Sequence, residues 1–342
     1  MALSTDIGID LGTSSVLVYI IGRGVVLCEP SVVAMEHPTH RLLAVGTEAQ
    51  KMLGRTPGNI VAVKPLKAGV IADFEITEIM LKHYITMVGE RRRLFRPRIT
   101  VCIPAGITSV EKKAVIDAVT QAGARETYLI EEPRSAALGA ELDIFNPGGS
   151  MVVDIGGGTT DIAVLSMGEI VEGTSVRVGG EKFDEAITRY VKRELNLFIG
   201  ERSAENIKIN IGSVRCDGHN QHMEIRGRDL VTGLPRSQII TTHQVAKALS
   251  EPVSAILQGI KQVFGRTPPE LAGDVMEKGV VLSGGGGLLD GLTSYLSKET
   301  GVPFYLAEDP ISCVAKGTAK VFKYMPQLSS SLDSNRKIAS IL

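Results

Sequence analysis

Tryptophan is absent, and aromatic residues make up only 4% of the 342 residues. The core must therefore rest on Val, Ile, Leu and Ala rather than on large rings. Cysteine is sparse as well: Cys28, Cys102, Cys216 and Cys313 are scattered and form no Cys-x-x-Cys pair. That spacing excludes a disulfide framework. Cys28, Cys102 and Cys313 stand among apolar neighbours and read as buried free thiols of a reducing compartment. Net charge is also lacking, and a formal −1 argues against a nucleic-acid partner. No apolar run reaches the roughly 18 residues needed to span a bilayer. The first residues, Met-Ala-Leu-Ser-Thr-Asp, have neither the basic nor the apolar region of a signal peptide. A water-soluble cytoplasmic protein of two substantial domains is expected from this length.

The chemistry that is present concentrates in Met151-Val-Val-Asp-Ile-Gly-Gly-Gly-Thr-Thr-Asp-Ile-Ala-Val-Leu165. Residues 151–153 and 162–165 are apolar and β-branched, and they read as buried strands. Gly156, Gly157 and Gly158 between them let successive backbone N–H groups point into one concavity, a nest that binds an anion. Asp154 ends the first strand beside that nest. A carboxylate there would repel phosphate unless a cation such as Mg²⁺ lies between them. One glycine-rich turn alone is weak evidence, but the pattern occurs twice. Asp10-Leu-Gly-Thr13, also followed by an apolar strand, repeats it near the start of the chain. Two phosphate-clamping hairpins imply two related halves facing each other across a cleft, with a nucleotide between them. Thr13 and Thr159 could simply satisfy turn amides, yet their recurrence in both repeats favours phosphate contact.

Elsewhere strands alternate with helices, which predicts an α/β fold with mixed sheets, since both phosphate turns are hairpins. Helices are expected over 77–91, from Thr108 to Gly123 with a Thr108/Glu111 capping box, over 181–197 and 202–211, over 244–264 up to Gly265, from Leu288 onward, and over 315–325. Pro133 is expected at the first position of another helix. Residues 215–233 read as an irregular insertion, and 329–334 as a disordered Ser-rich tail. Cys216, His219 and His222 have a metal-like look but match no zinc spacing, so a surface loop is the better reading.

Further motifs occur in the order seen in the actin/Hsp70/sugar-kinase superfamily: Ile130-Glu-Glu-Pro133, Gly179-Gly-Glu181 and Ser283-Gly-Gly-Gly-Gly287. Glu29-Pro-Ser-Val-Val33, Gly54-Arg-Thr-Pro-Gly-Asn59, Gly69-Val-Ile-Ala-Asp73 and Arg226-Gly-Arg-Asp-Leu-Val-Thr-Gly-Leu-Pro235 narrow the match. Together these stretches resemble the MreB family of bacterial actin homologues, including its paralogue Mbl, over roughly residues 5–325. The resemblance implies the actin fold. Two RNase-H-like domains flank the cleft, 1–145 (with 316–342 returning to it) and 146–315, with small subdomains at about 33–65 and 181–242. It further implies ATP as ligand, with GTP left open, and Mg²⁺ oriented by Asp10 and Asp154 through water. Gly12, Thr13, Ser14, Gly156, Gly157, Gly158 and Thr159 would hold phosphates. Gly180 would also bind the nucleotide, Glu205 and Lys208 would contact the adenosine, and Gly284, Gly285 and Gly286 would approach the adenine and α-phosphate. Glu132 and Thr159 would position the attacking water. Gly12-Thr-Ser-Ser15 departs from the usual Gly-Thr-Ala-Asn, and the added Ser14 hydroxyl is compatible with phosphate.

By the same resemblance the protein polymerises, works with MreC, MreD and RodZ, and organises wall synthesis and rod shape. The rival readings are a soluble actin-fold ATPase, a chaperone ATPase without its peptide domain, and a small-molecule kinase. Arg91, Arg92, Arg93 and Arg96 surround Leu94 and Phe95 in the one dense charge run. A solvated loop, a nucleic-acid patch and a membrane contact are its three readings. A loop that dips Leu94 and Phe95 into an anionic surface, peripheral on the inner face of the cell membrane, is preferred.

Overall fold

The computed structural model describes residues 6–39, 41–88, 96–215, 220–328 and 332–334. Two sheets carry the fold, and each begins with one of the two hairpins. In the first, Asp6–Leu11 pairs antiparallel with Ser15–Ile20, which continues to Gly24–Pro30. On its other side Asp6–Leu11 pairs parallel with Arg98–Ile103, then Glu126–Glu131. In the second, Ser150–Ile155 pairs antiparallel with Thr160–Ser166, and beyond it comes Glu169–Val176. Its other side takes the parallel strands Val280–Ser283 and Phe304–Leu306. The repeated motif thus corresponds to a repeated strand plan. Both sheets are mixed because a tight hairpin forces antiparallel pairing, whereas a helical crossover returns a strand parallel.

Each sheet has its own core. Met80, Leu81 and Tyr84 of the helix Phe74–Val88, with Val115, Ile116 and Val119 of Ser109–Gln121, cover the first. Phe183, Ile187 and Val191 of Gly180–Leu195, with Leu249, Ile256 and Ile260 of Thr242–Arg266, cover the second. Capping boxes at Thr108/Glu111 and Thr241/Gln244 satisfy the first free N–H groups of two of these helices. Two small three-stranded sheets stand apart: Val33–Glu36, Arg41–Val45 and Ile60–Val63, and Leu197–Phe198, His222–Asp229 and Pro235–Thr241.

A third apolar cluster joins the halves, bringing Cys102 and Ile130 of the first sheet together with Val152, Ala163 and Leu165 of the second. Between them lie the helices Glu132–Gly139 and Cys313–Lys320, in backbone contact. A Cβ on Gly317 would fall on the Ser135 carbonyl, and one on Gly139 would fall on the Cys313 carbonyl. The Ser135 hydroxyl donates to Val314 O at 3.0 Å, and the Cys313 thiol to Ala136 O at 3.2 Å. A Cβ on Gly8 in the first strand would likewise collide with Ala319 N. Glycine is needed at these positions because nothing larger fits between the backbones.

Several expectations fail. Residues 222–229 form a strand: Met223 and Ile225 face inward while Glu224 and Arg226 face out, a period of two that its polar face disguises. Pro269–Lys278, to which the sequence pattern assigns no element, is a helix, with proline in its first turn, where the missing N–H is harmless. The long helix passes Gly265 and ends at Arg266. After Gly284 comes a single 3₁₀ turn, Gly285–Leu288, and the next helix, Leu292–Thr300, starts at Gly291. The helix expected over 315–325 runs instead over Cys313–Lys320, with a separate short helix at Met325–Leu328, and Pro133 occupies the second position of its helix rather than the first. Asp333–Ser334 adds an edge strand against Tyr128 and Leu129, so these residues are ordered, while 329–331 lie outside the described residues. Cys28 is exposed, whereas Cys102 and Cys313 are buried. Among the described residues no helix is long and apolar enough to cross a membrane.

Candidate functional site

The two hairpin turns meet tip to tip. A Cβ on Gly157 would collide with the Ser14 hydroxyl, and one on Gly158 would come within 2.6 Å of Thr13 Oγ1. Glycine in one turn therefore makes room for the hydroxyls of the other. Thr13 Oγ1 accepts from Gly69 N at 2.8 Å, which leaves its own proton free to donate. Gly12 is fixed from behind by the Ser31 hydroxyl, donating to its carbonyl at 2.6 Å. The helix Gly180–Leu195 docks on the second turn through Gly180 N to Gly156 O and Glu181 N to Gly157 O.

Around this junction lies a cavity of about 850 Å³. Its lining includes every residue assigned from sequence to nucleotide, metal or catalysis: Asp10, Gly12, Thr13, Ser14, Glu132, Asp154, Gly156, Gly157, Gly158, Thr159, Gly180, Glu205, Lys208, Gly284, Gly285 and Gly286. Gly284 adopts φ +77, and a Cβ there would meet the Ile155 backbone. A Cβ on Gly286 would meet the Ile155 side chain, so this turn lies flush on the sheet.

The floor is acidic. Burial raises Asp10 to about 6, partly offset by the Cys102 thiol, which donates to Asp10 Oδ1 at 3.3 Å. Burial likewise raises Asp154 to about 7, against the Ser283 hydroxyl at 2.5 Å and with the charges of Asp10 and Asp161 adding to the rise. Glu132 is pushed well above the usual carboxylate range by burial, then by the negative charges of Asp161, Asp154 and Asp10. Asp161 is raised by burial, although its Oδ1 accepts from Ala105 N at 3.0 Å. Acids gathered this way cannot all ionise without a cation among them, and their oxygen chemistry suits a hard divalent ion such as Mg²⁺. Among the described residues no three His, Cys, Asp or Glu side chains converge to ligate a metal directly. The carboxylate oxygens of Asp10 and Asp154, both lining the cavity, fit the ligand preference of such an ion.

Sequence reasoning missed several partners of these groups. Asp161 stands opposite Asp154 in the hairpin register, and a charged residue in an otherwise apolar strand was the available signal. Cys102, Ser283 and Gly69 come from distant segments, and nothing local announces their roles. Of the charge run, Arg96 is exposed, while Arg91, Arg92, Arg93, Leu94 and Phe95 lie outside the described residues, as do Cys216 and His219.

Two hairpins of one plan, closing on a cavity floored with carboxylates, define a protein of actin-like fold. The MreB/Mbl sequence pattern matches residues 4–330, and the chain belongs to the MreB/Mbl protein family. It is 53% identical over 323 residues to the cell shape-determining protein Mbl of Bacillus subtilis, covering 94% of this chain and 97% of that one. The crystal structure of MreB 5 of Spiroplasma citri bound to AMPPNP superposes with TM-score 0.90 at 37% identity, covering 96% of this chain and 98% of that one. The subunit of a MamK double helical filament superposes with TM-score 0.80 at 21% identity over 94% of this chain and 99% of its own, a likeness of fold alone.

Proposed function

We propose that this protein binds Mg-ATP between its two hairpins, hydrolyses it slowly, and polymerises into filaments that organise wall synthesis and rod shape. The observation that carries this reading is the interlocking of Thr13 and Ser14 with Gly157 and Gly158 at the mouth of an acid-floored cavity. A phosphate chain threaded there would meet backbone N–H groups and hydroxyls from both halves, so its presence would determine how the halves sit. The nucleotide-bound relative and the cell-shape name of Mbl support the assignment. We place the division between domains near residue 145, with 316–342 returning to the first.

Phosphoanhydride hydrolysis rests on positioning and charge neutralisation, so no covalent nucleophile is required. Mg²⁺, which Asp10 and Asp154 would hold, would supply the neutralisation. Glu132 would orient the attacking water and accept its proton, and the Thr159 hydroxyl would fix the water's other side. We assign Arg91, Arg92, Arg93, Leu94, Phe95 and Arg96 to a peripheral membrane contact, weak in one subunit and strong by avidity in a filament. MreC, MreD and RodZ are the wall-elongation partners implied by the family.

Sedimentation with Mg-ATP, with and without anionic liposomes, tests the whole reading. Nucleotide-dependent filaments enriched on liposomes are the expected result. A monomer that binds ATP without assembling would replace this function with a soluble actin-fold ATPase or kinase. Filaments indifferent to lipid would remove only the membrane assignment.

Lys64, just beyond the first small sheet, lies 2.9 Å from Glu181 and 3.5 Å from Glu201. This ion pair crosses from the first half to the two helices that carry Gly180, Glu205 and Lys208. Its groups are partly exposed, so its worth is below about 1 kcal/mol. Lys64→Glu should speed nucleotide release several-fold, and adding Glu181→Lys should slow it again. Unchanged stopped-flow release rates would show that the ion pair does not hold the nucleotide.

A further inference from the structure

Lys208 lines the cavity and presents an ammonium with three protons. Two are spoken for: Nζ lies 3.1 Å from Gly180 O and 2.9 Å from Asp184 Oδ2. Both acceptors belong to the first turn and a half of the helix Gly180–Leu195, whereas Lys208 comes from Glu201–Ile211. Asp184 does not line the cavity, and its Oδ1 is buried without a hydrogen-bond partner. A Cβ on Gly180 would stand 3.2 Å from Nζ, so glycine there keeps the seat of the ammonium open. Apart from Arg215, Lys208 supplies the only cation among the described lining residues, which otherwise include Asp10, Glu132, Asp154, Glu205 and Asp290.

We infer that Asp184 is a positioning residue for nucleotide: by holding two of its protons inside the protein with Gly180 O, it aims the third proton of Lys208 at the bound anion. The inference rests on the nucleotide reading of the cavity. A half-buried lysine without this anchor would sample many rotamers and give up that aim. Burial raises Asp184 to about 6. The facing ammonium of Lys208 opposes the rise, Glu205 on the same facing helix adds to it, and Lys64 across the cleft opposes it. The anchor is therefore half formed near pH 6, complete well above it, and lost as pH falls through that value.

Binding of mant-ATP with Mg²⁺ to the full chain tests this through a double-mutant cycle. Asp184→Asn and Lys208→Ala should each weaken binding by about tenfold, the size expected for a charged hydrogen bond. The double variant should be no weaker than Lys208→Ala alone. Wild-type affinity should drop below pH 6, the Asp184→Asn profile should be flatter there, and Asp184→Glu should restore part of the affinity. Thermal melts identify any variant that fails to fold, in which case Asp184→Glu carries the cycle. Additive effects in the double variant, or identical pH profiles for wild type and Asp184→Asn, would overturn the positioning role while leaving nucleotide binding intact. A wild-type chain that binds no Mg-ATP would overturn both.

Discussion

Glu132→Gln is expected to slow ATP turnover by about a hundred- to ten-thousand-fold while leaving Mg-ATP affinity within a few-fold of wild type. The substitution keeps the size and the hydrogen-bonding shape of a side chain that is only 7% exposed, so packing is preserved. What changes is the capacity to take a proton. The floor makes the prediction sharper, because burial and the charges of Asp161, Asp154 and Asp10 hold Glu132 well above the usual carboxylate range when no cation is present. A base that is neutral cannot accept a proton, so the same cation that neutralises phosphate would also release Glu132 for its work. Phosphate release under single-turnover conditions, beside equilibrium nucleotide binding, separates the two effects. Equal turnover in Glu132→Gln and wild type would remove Glu132 from the chemistry and leave it a structural acid.

Gly317→Ala should destabilise the protein by about 3 kcal/mol or more. The new methyl would lie on the Ser135 carbonyl and within 3.0 Å of Gly139 N, so relief requires the helices Glu132–Gly139 and Cys313–Lys320 to separate. Separation would lengthen the Ser135–Val314 and Cys313–Ala136 hydrogen bonds and loosen the cluster that holds Val152, Ala163 and Leu165 against Ile130. Because the first of these helices begins with Glu132, weakened nucleotide binding should accompany the loss. Urea unfolding measures the stability, and a change below about 0.5 kcal/mol would show that the crossing has slack.

The sequence announced the paired hairpins because their chemistry is local: an Asp, a glycine turn and a hydroxyl lie within a few residues each time. Lining residues from the two other glycine runs and from the helix bearing Glu205 and Lys208 needed the family resemblance, since nothing local brings them to the hairpins. Contacts such as Cys102 on Asp10, or Ser283 on Asp154, arise only when parallel strands far apart in sequence fall into register. Residues 222–229 were misread because a strand with one polar face resembles a loop in composition, and only the period of two separates them. The turn after Gly284 was misplaced for a different reason. Its glycines were legible as a close approach, but Gly291, the residue from which the next helix starts, gives no capping signal.

The rims of the two sheets bear on how a chain proposed to polymerise would avoid precipitating. Unpaired strand edges recruit other strands indiscriminately, and a protein kept at assembly-competent concentration is continually exposed to that side reaction. Here the first sheet is bordered by the two-residue strand Asp333–Ser334 and by Gly24–Pro30, which ends in proline and follows a register shift beside Tyr19. The second is bordered by the three residues Phe304–Leu306 and by Glu169–Val176, whose pairing is broken by a bulge at Leu165. None of these borders offers a long, flat ladder. Strand addition at the borders of these two sheets is thereby disfavoured, so the filament growth proposed above would have to use side-chain surfaces instead.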